Sequence, residues 1–525
     1  GRARAGLGAQ MSAALLQAAQ AALARRDFAG AKQAAEQILR ERPSDAGANQ
    51  ILGLVALEQG DAAAAKLYLQ RADKAAPGQP HILNALGIAL RRNGDVAEAR
   101  RAFTRAGERG LIDGWRNLGN LEALAGDAVA TAKAYERALK LNASDAASLA
   151  GLAQAKELLH DLAAARSNAQ AALAIDANNE IATLTLAQVA ARERAWAEAE
   201  AAAVVIARGG KSLTNRAIAW GVIGDVRDKQ NDAASAFAAF TEANRILLSL
   251  YQPHPRETHM PYHPAGVDRM RALVETADFS AWAACDQASP VFLVGFPRSG
   301  TTLLEQVLSA HSGLVCIEER EHLALAAGEV AADPAKLAQL SEAEIKAIRA
   351  EYWKRVRSEA KTGDRIVVDK LPLNIIFLPL IRRVFPSAKI LFALRDPRDV
   401  VLSCFQQRFG MNAAMVQFLQ LETAAAYYDK VMSLGLLCQE RLGLSVLEVR
   451  YENVVVDLES VARAVTSFLD LPFEEAMLSP AETALRRNIN TPSARQVVEP
   501  IYTRSVARWK KYERELAPVL PGLSD

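Results

Sequence analysis

Cysteine is scarce: four residues in 525, at Cys285, Cys316, Cys404 and Cys438, with no C-x-x-C pair and no metal-ligand spacing. That pattern excludes a disulfide-stapled scaffold or a zinc module and leads to the expectation of reduced thiols in a reducing compartment. An excess of either charge is also missing, since Lys+Arg number 62 against 60 Asp+Glu. Proteins that coat nucleic acid carry a clear basic excess, so no nucleic-acid partner is expected and any anion site has to be local. No apolar run reaches the ~18 residues needed to span a bilayer. The Ala-rich stretch after Met11 is broken by Gln17, Gln20, Arg25 and Arg26, which does not fit a signal peptide. No membrane partner is expected, and the expected location is cytoplasmic.

Half of the residues are hydrophobic and 23% are charged, the composition of globular domains. The length implies two to four of them. The first half repeats itself. Asp27, Asp61, Asp95, Asp127, Asp161 and Asp232 each mark the turn of a helix–turn–helix unit, with Ala195 in the one gap, at steps of 34, 34, 32, 34, 34 and 37 residues. These steps cluster on the 34-residue period of tetratricopeptide repeats, which the segment resembles over residues 12–250. Gly53 and Gly87 mark the place where two helices approach closely, and Pro43 and Pro77 the place where a second helix stops. Single hairpins of this kind cannot bury their apolar faces alone, so an all-α solenoid of about seven stacked units is predicted, with a peptide or protein as its expected partner.

Residues 251–289 open on YQPHPRETHMPYHPAGV, rich in Pro and His. They read as a connecting segment, and the prolines keep the three histidines from sharing a helix face as metal ligands would. From 290 to 525 apolar strands (PVFLVGF, RIVVDK, AKILFALRD, LSVLEVRY) alternate with helical segments. This predicts an α/β domain with a mostly parallel sheet and a site at the carboxyl ends of its strands.

Gly295-Phe296-Pro297-Arg298-Ser299-Gly300-Thr301-Thr302 joins the first of these strands to the first helix. The spacing is that of a P-loop, whose backbone N–H groups and helix dipole favour a phosphate-like anion. Thr-Thr stands where a nucleoside triphosphatase needs Lys followed by Ser or Thr, which weakens a kinase or nucleotide hydrolase reading. The cation comes earlier, as Arg298, whose planar fork suits sulfate or phosphate.

PRSGTTLLEQVLSAH resembles the 5′-phosphosulfate loop of sulfotransferases, and LRDPRDVVLSC resembles their 3′-phosphate element. The resemblance runs over roughly residues 290–515 and is to bacterial repeat-bearing sulfotransferases and to protein-tyrosine sulfotransferases. It implies 3′-phosphoadenosine 5′-phosphosulfate as donor, held by Arg298, Ser299, Gly300, Thr301 and Thr302 at the 5′ side and by Arg395 and Ser403 at the 3′-phosphate. Tyr451 matches a tyrosine that contacts the nucleotide. Ser493 and Arg508 match residues of the family's C-terminal closing segment, in a stretch, 481–511, holding seven Arg/Lys against two Glu. Glu319 matches the relatives' catalytic base, with Glu318 and Glu321 beside it and His311 as a rival. Lys370 matches the lysine that stabilises the leaving oxygen, with Arg298 acting in the same step. No metal is required where Arg and Lys supply the charge. In the Golgi relatives the cysteine matching Cys316 is disulfide-bonded to one at the position of Val368; here that bridge is absent. A peptide tyrosine is the leading acceptor, beside a carbohydrate or small-molecule hydroxyl. The alternative from another class is a repeat scaffold whose sulfotransferase-like domain is inactive, and a homodimer is possible.

Overall fold

The computed structural model describes residues 2–280, 282, 288–480 and 505–523. Helical hairpins fill the first half: α1 (Arg2–Ala24) with α2 (Phe28–Glu41), α3 (Ala46–Glu58) with α4 (Ala62–Ala75), α5 (Pro80–Arg92) with α6 (Val96–Glu108), α7 (Ile112–Leu124) with α8 (Ala128–Leu141), α9 (Ala146–Leu158) with α10 (Leu162–Ile175), α11 (Glu180–Arg192) with α12 (Trp196–Gly209), and α13 (Leu213–Lys229) with α14 (Ala233–Leu250). The repeated aspartates are N-caps. Asp27, Asp61, Asp127, Asp161 and Asp232 each accept a hydrogen bond from the backbone N–H three residues on, satisfying one of the donors a helix start leaves open. Asp95 makes no such bond; its carboxylate accepts from Lys66 and Asn93, both at 2.7 Å. The residue before each cap lies in the left-handed region, whether Gly60, Gly94 and Gly126 or Arg26, His160, Arg194 and Asn231. Each turn is therefore built from a left-handed helix terminator followed by a cap. A Cβ at Gly53 would stand 2.5 Å from Leu69 Cγ, and one at Gly87 2.5 Å from Phe103 Cε1, which is the close approach the sequence predicts.

The chain divides into two compact units, Gly1–Ile206 and Ala207–Asp525. Hairpin α13–α14 keeps the repeat crossing, since a Cβ at Gly224 would meet Phe240 Cε1 at 2.5 Å, yet it belongs to the second unit. The segment 251–289, read as a connection, contains α15 (Pro264–Thr276), whose Val267, Met270 and Val274 are buried in the second unit's core. His263 caps that helix, Nδ1 accepting from Ala265 N at 3.1 Å.

The second unit is built on a parallel sheet of β1 (Val291–Gly295), β2 (Leu314–Glu318), β3 (Ile366–Lys370), β4 (Lys389–Leu394) and β5 (Ser445–Arg450), in the order β2-β3-β1-β4-β5. Its helices are α16 (Thr301–Ser309), α17 (His322–Ala327), α18 (Pro334–Ala338), α19 (Glu342–Glu359), α20 (Leu378–Val384), α21 (Pro397–Gln406), α22 (Leu421–Arg441), α23 (Tyr451–Val456) and α24 (Leu458–Phe468). β1 is buried on both sides: Phe292 and Val294 enter one apolar cluster, with residues of α19–α22, and Val291 and Leu293 enter the other, with residues of α16 and α24. Among the described residues no helix is long and apolar enough to cross a membrane.

Candidate active site

The loop after β1 bends through conformations that side chains resist. Gly295 has φ 158, Arg298 φ 72 and Gly300 φ 94, and left-handed backbone at a non-glycine residue is a strain that functional sites retain. A Cβ on Gly300 would lie 2.6 Å from Tyr451 Cδ2. Gly300 is the N-cap of α16 and gives its first turn no side-chain hydrogen bond, so that turn presents backbone donors and the positive end of the dipole. Ser299, Thr301 and Thr302 are buried there. Ser299 Oγ has no hydrogen-bond partner among the described residues.

The second predicted element meets the first directly. Arg298 Nε donates to Ser403 Oγ on α21 at 3.0 Å, and Arg395, just past β4, donates from Nη1 to the Arg298 carbonyl at 3.0 Å and from Nη2 to the Ser505 carbonyl at 2.6 Å. The Arg395 guanidinium lies over the Tyr451 ring at 4.7 Å and 3.9 Å from Asp399 Oδ2. Its Nε is buried without a hydrogen-bond partner among the described residues. Burial pushes the Cys404 thiol up to about 12, and its Sγ contacts the Pro297 carbonyl at 3.4 Å, making it an inert brace for the loop.

Lys370 ends β3 with its side chain fully buried, and its Nζ lies 3.0 Å from Glu305 Oε2, 3.0 Å from Glu319 Oε1 and 4.0 Å from Glu318 Oε1. Burial works against its charged form, but the carboxylates of Glu305, Glu319 and Glu318 outweigh burial and raise its pKa. The sheet register brings these groups together: Glu318 pairs with Lys370 across β2 and β3, and Glu319 N donates to the Lys370 carbonyl at 2.7 Å. Glu319 has φ 46. Asp369, on the opposite face of β3, is bonded to Tyr352 Oη at 2.9 Å, and burial raises it to about 7.

The structure thus gathers Arg298, Ser299, Gly300, Thr301, Thr302, Arg395, Ser403 and Tyr451 at the carboxyl ends of β1, β4 and β5, and joins Glu319 to Lys370. Arg508 is paired with Asp228, its Nη2 2.9 Å from Asp228 Oδ2, in the turn whose Trp509 N donates to Asp399. Ser493 lies outside the described residues. His311 is tied at the far end of α16, Nε2 to the Pro472 carbonyl at 2.8 Å and Nδ1 to Gly313 N at 3.0 Å; eight to nine residues of helix put it roughly 13 Å from the loop. The sequence reading missed Glu305, fully buried one turn into α16. A carboxylate in the apolar helix TTLLEQVLS was the available signal.

Residues 290–475 match the sulfotransferase family. The chain is 28% identical over 329 residues to an uncharacterized protein of Aquifex aeolicus, covering 59% of this chain and 42% of that one. It is 24% identical over 251 residues to protein-tyrosine sulfotransferase A of Caenorhabditis elegans, covering 43% of this chain and 62% of that one. It thus spans about half the length of these two curated relatives. Among solved structures, the sulfotransferase domain of the olefin synthase of Synechococcus PCC 7002 matches at 23% identity over 44% of this chain and 91% of that one, with a TM-score of 0.31.

Proposed function

We propose that the sulfotransferase-family domain following the tetratricopeptide-type repeats moves a sulfuryl group from 3′-phosphoadenosine 5′-phosphosulfate to an acceptor hydroxyl. The observation that carries this reading is the pair of bonds Arg298–Ser403 and Arg395–Arg298 carbonyl, each 3.0 Å. They fuse the loop at the start of α16 with the Arg395 element into one place able to take two anionic groups. The residues suit such a donor: an uncapped helix N-terminus, a Ser299 hydroxyl buried without a partner among the described residues, and the Arg395 Nε in the same condition.

In the transfer, the bond between sulfur and the donor's phosphate oxygen breaks, a bond from the acceptor oxygen to sulfur forms, and the acceptor loses its proton. Glu319 takes that proton; it is the more exposed of the two carboxylates at 3.0 Å from Lys370, and so the one an acceptor can reach. Lys370 and Arg298 offset the charge that grows on the departing phosphate. Glu305 keeps Lys370 charged from the buried side. The acceptor we propose is a tyrosine of a peptide bound with help from the repeats, supported by the names of the relatives and by the usual use of repeat surfaces. A reducing, cytoplasmic setting fits Cys316, which is buried and stands opposite Val368 in the β2–β3 register where a second cysteine would be needed for a bridge.

The test is calorimetric binding of adenosine 3′,5′-bisphosphate, ADP and ATP to the wild type and Arg395→Ala. The bisphosphate is expected to bind tightly, ADP and ATP weakly, and the variant to lose roughly tenfold to a hundredfold in bisphosphate affinity. Equal binding of all three nucleotides would remove the sulfotransferase reading.

A further inference from the structure

Resting on that donor reading, we infer that hairpin α13–α14, repeat-like in sequence, is a positioning part of the donor site that fixes both segments carrying its 3′-phosphate side. The hairpin departs from its neighbour in length: α13 has 17 residues and α14 has 18, against 13 in α11 and 14 in α12. Residues within the ordinary repeat length of the hairpin meet two places in the second unit. The first is α21 and the residues just after it. Asn244 on α14 donates from Nδ2 to the Phe405 carbonyl at 2.8 Å in a buried bond, and Phe237 stacks on the Phe405 ring at 4.9 Å. Asp225 on α13 accepts from Arg408 at 3.0 Å, and a Cβ on Gly221 would fall 2.0 Å from Arg408 Nη1, so the absent side chain makes room for that guanidinium. Phe405 is two residues past Ser403.

The second place is the turn Arg508–Tyr512. Asp228, 8% exposed near the end of α13, pairs with Arg508 at 2.9 Å and Lys511 at 3.0 Å and accepts from the Tyr512 hydroxyl. Burial opposes the charge on Asp228, yet these partners hold its carboxyl below the usual range. From the same turn Trp509 N donates to Asp399 Oδ1 at 2.8 Å, and the Trp509 ring carries the Arg398 guanidinium at 4.2 Å. Asp399 in turn faces Arg395 at 3.9 Å. A continuous path of named contacts thus runs from Asp228 through the turn and Asp399 to Arg395, and another from Asn244 and Phe237 through α21 to Ser403. The four other capped turns that follow a full repeat place Leu57, Arg91, Ala123 and Glu157 at the position of Asp228; they show no fixed requirement for Asp in the repeat itself.

The test uses the full chain and compares adenosine 3′,5′-bisphosphate with AMP, which shares the 5′ side and lacks the 3′-phosphate. Asp228→Asn is expected to weaken bisphosphate binding about tenfold or more while AMP moves by no more than about twofold, and Asp228→Glu is expected to recover most of the loss. Asp232→Ala removes the cap of α14 in the same hairpin; it is expected to lower Tm and leave the ratio of the two affinities unchanged. An Asp228→Asn ratio equal to the wild type's, or an Asp232→Ala shift as large as that of Asp228→Asn, would overturn the inference. Absence of any bisphosphate preference in the wild type would instead overturn the donor reading, and this inference with it.

Discussion

Lys370 is the residue on which most of the site's charge converges. Its side chain and that of Glu305 are fully buried, 3.0 Å apart. Removing one member of such a pair strands the second in a medium that solvates it poorly, at a cost of about 3–5 kcal/mol. Lys370→Met is therefore expected to lower both stability and turnover. Adding Glu305→Gln is expected to restore most of the stability in urea melts. Turnover with the acceptor found in a labelled-donor screen should stay about 10²–10⁴-fold below wild type. Recovery of both together would assign Lys370 a structural role only. Lys370 and Glu319 were legible from sequence because each follows a recognisable strand end or motif. Glu305 was not, because the lone carboxylate in TTLLEQVLS signals an unusual position without showing that its partner is Lys370, 65 positions away.

At the scale of elements, the repeat turn separates two uses of glycine. Gly87 has the Phe103 ring 2.5 Å from where its Cβ would stand, whereas Gly60, at φ 81, has nothing within 4 Å. The left-handed position that Gly60 fills is occupied by Arg26, His160 and Asn231 in other turns. Gly87→Ala is expected to cost about 1–3 kcal/mol by overpacking, and Gly60→Asn under about 1 kcal/mol, since Asn tolerates this region; thermal unfolding of both variants checks the contrast. The strands at 291–295, 366–370, 389–394 and 445–450 fall within the predicted apolar runs. β2 escaped because Leu314–Glu318 is a five-residue strand at the sheet edge that follows a helix after a short turn. It is nevertheless the strand whose end delivers Glu318 and Glu319 to Lys370.

For the whole molecule, the division between Ile206 and Ala207 changes what a truncation measures. A chain beginning at Ala207 keeps α13 and α14 and is expected to bind adenosine 3′,5′-bisphosphate as the full protein does. A chain beginning at Tyr251 lacks Asn244, Phe237, Asp225 and Asp228, and is expected to bind it at least about tenfold more weakly. Equal calorimetric affinities for the two fragments would show the hairpin to be dispensable to the site.

The sequence by itself determined the helical repeat, through a 34-residue spacing of capping aspartates, and the strand-to-helix loop 295–302, through glycines whose backbone angles few other residues adopt. Both are local: the cap and the φ angle are decided within a few residues, so the chain spells them out. It also determined the parallel α/β order, because strand and helix periodicities differ along the chain. Only the tertiary structure decided that Glu305 faces Lys370, that Arg298 reaches Ser403 across 105 positions, and that the last repeat-like hairpin belongs with the second unit. These contacts depend on which faces are brought together by strand order and packing, and no local pattern of side chains records the partner that lies far away in the chain.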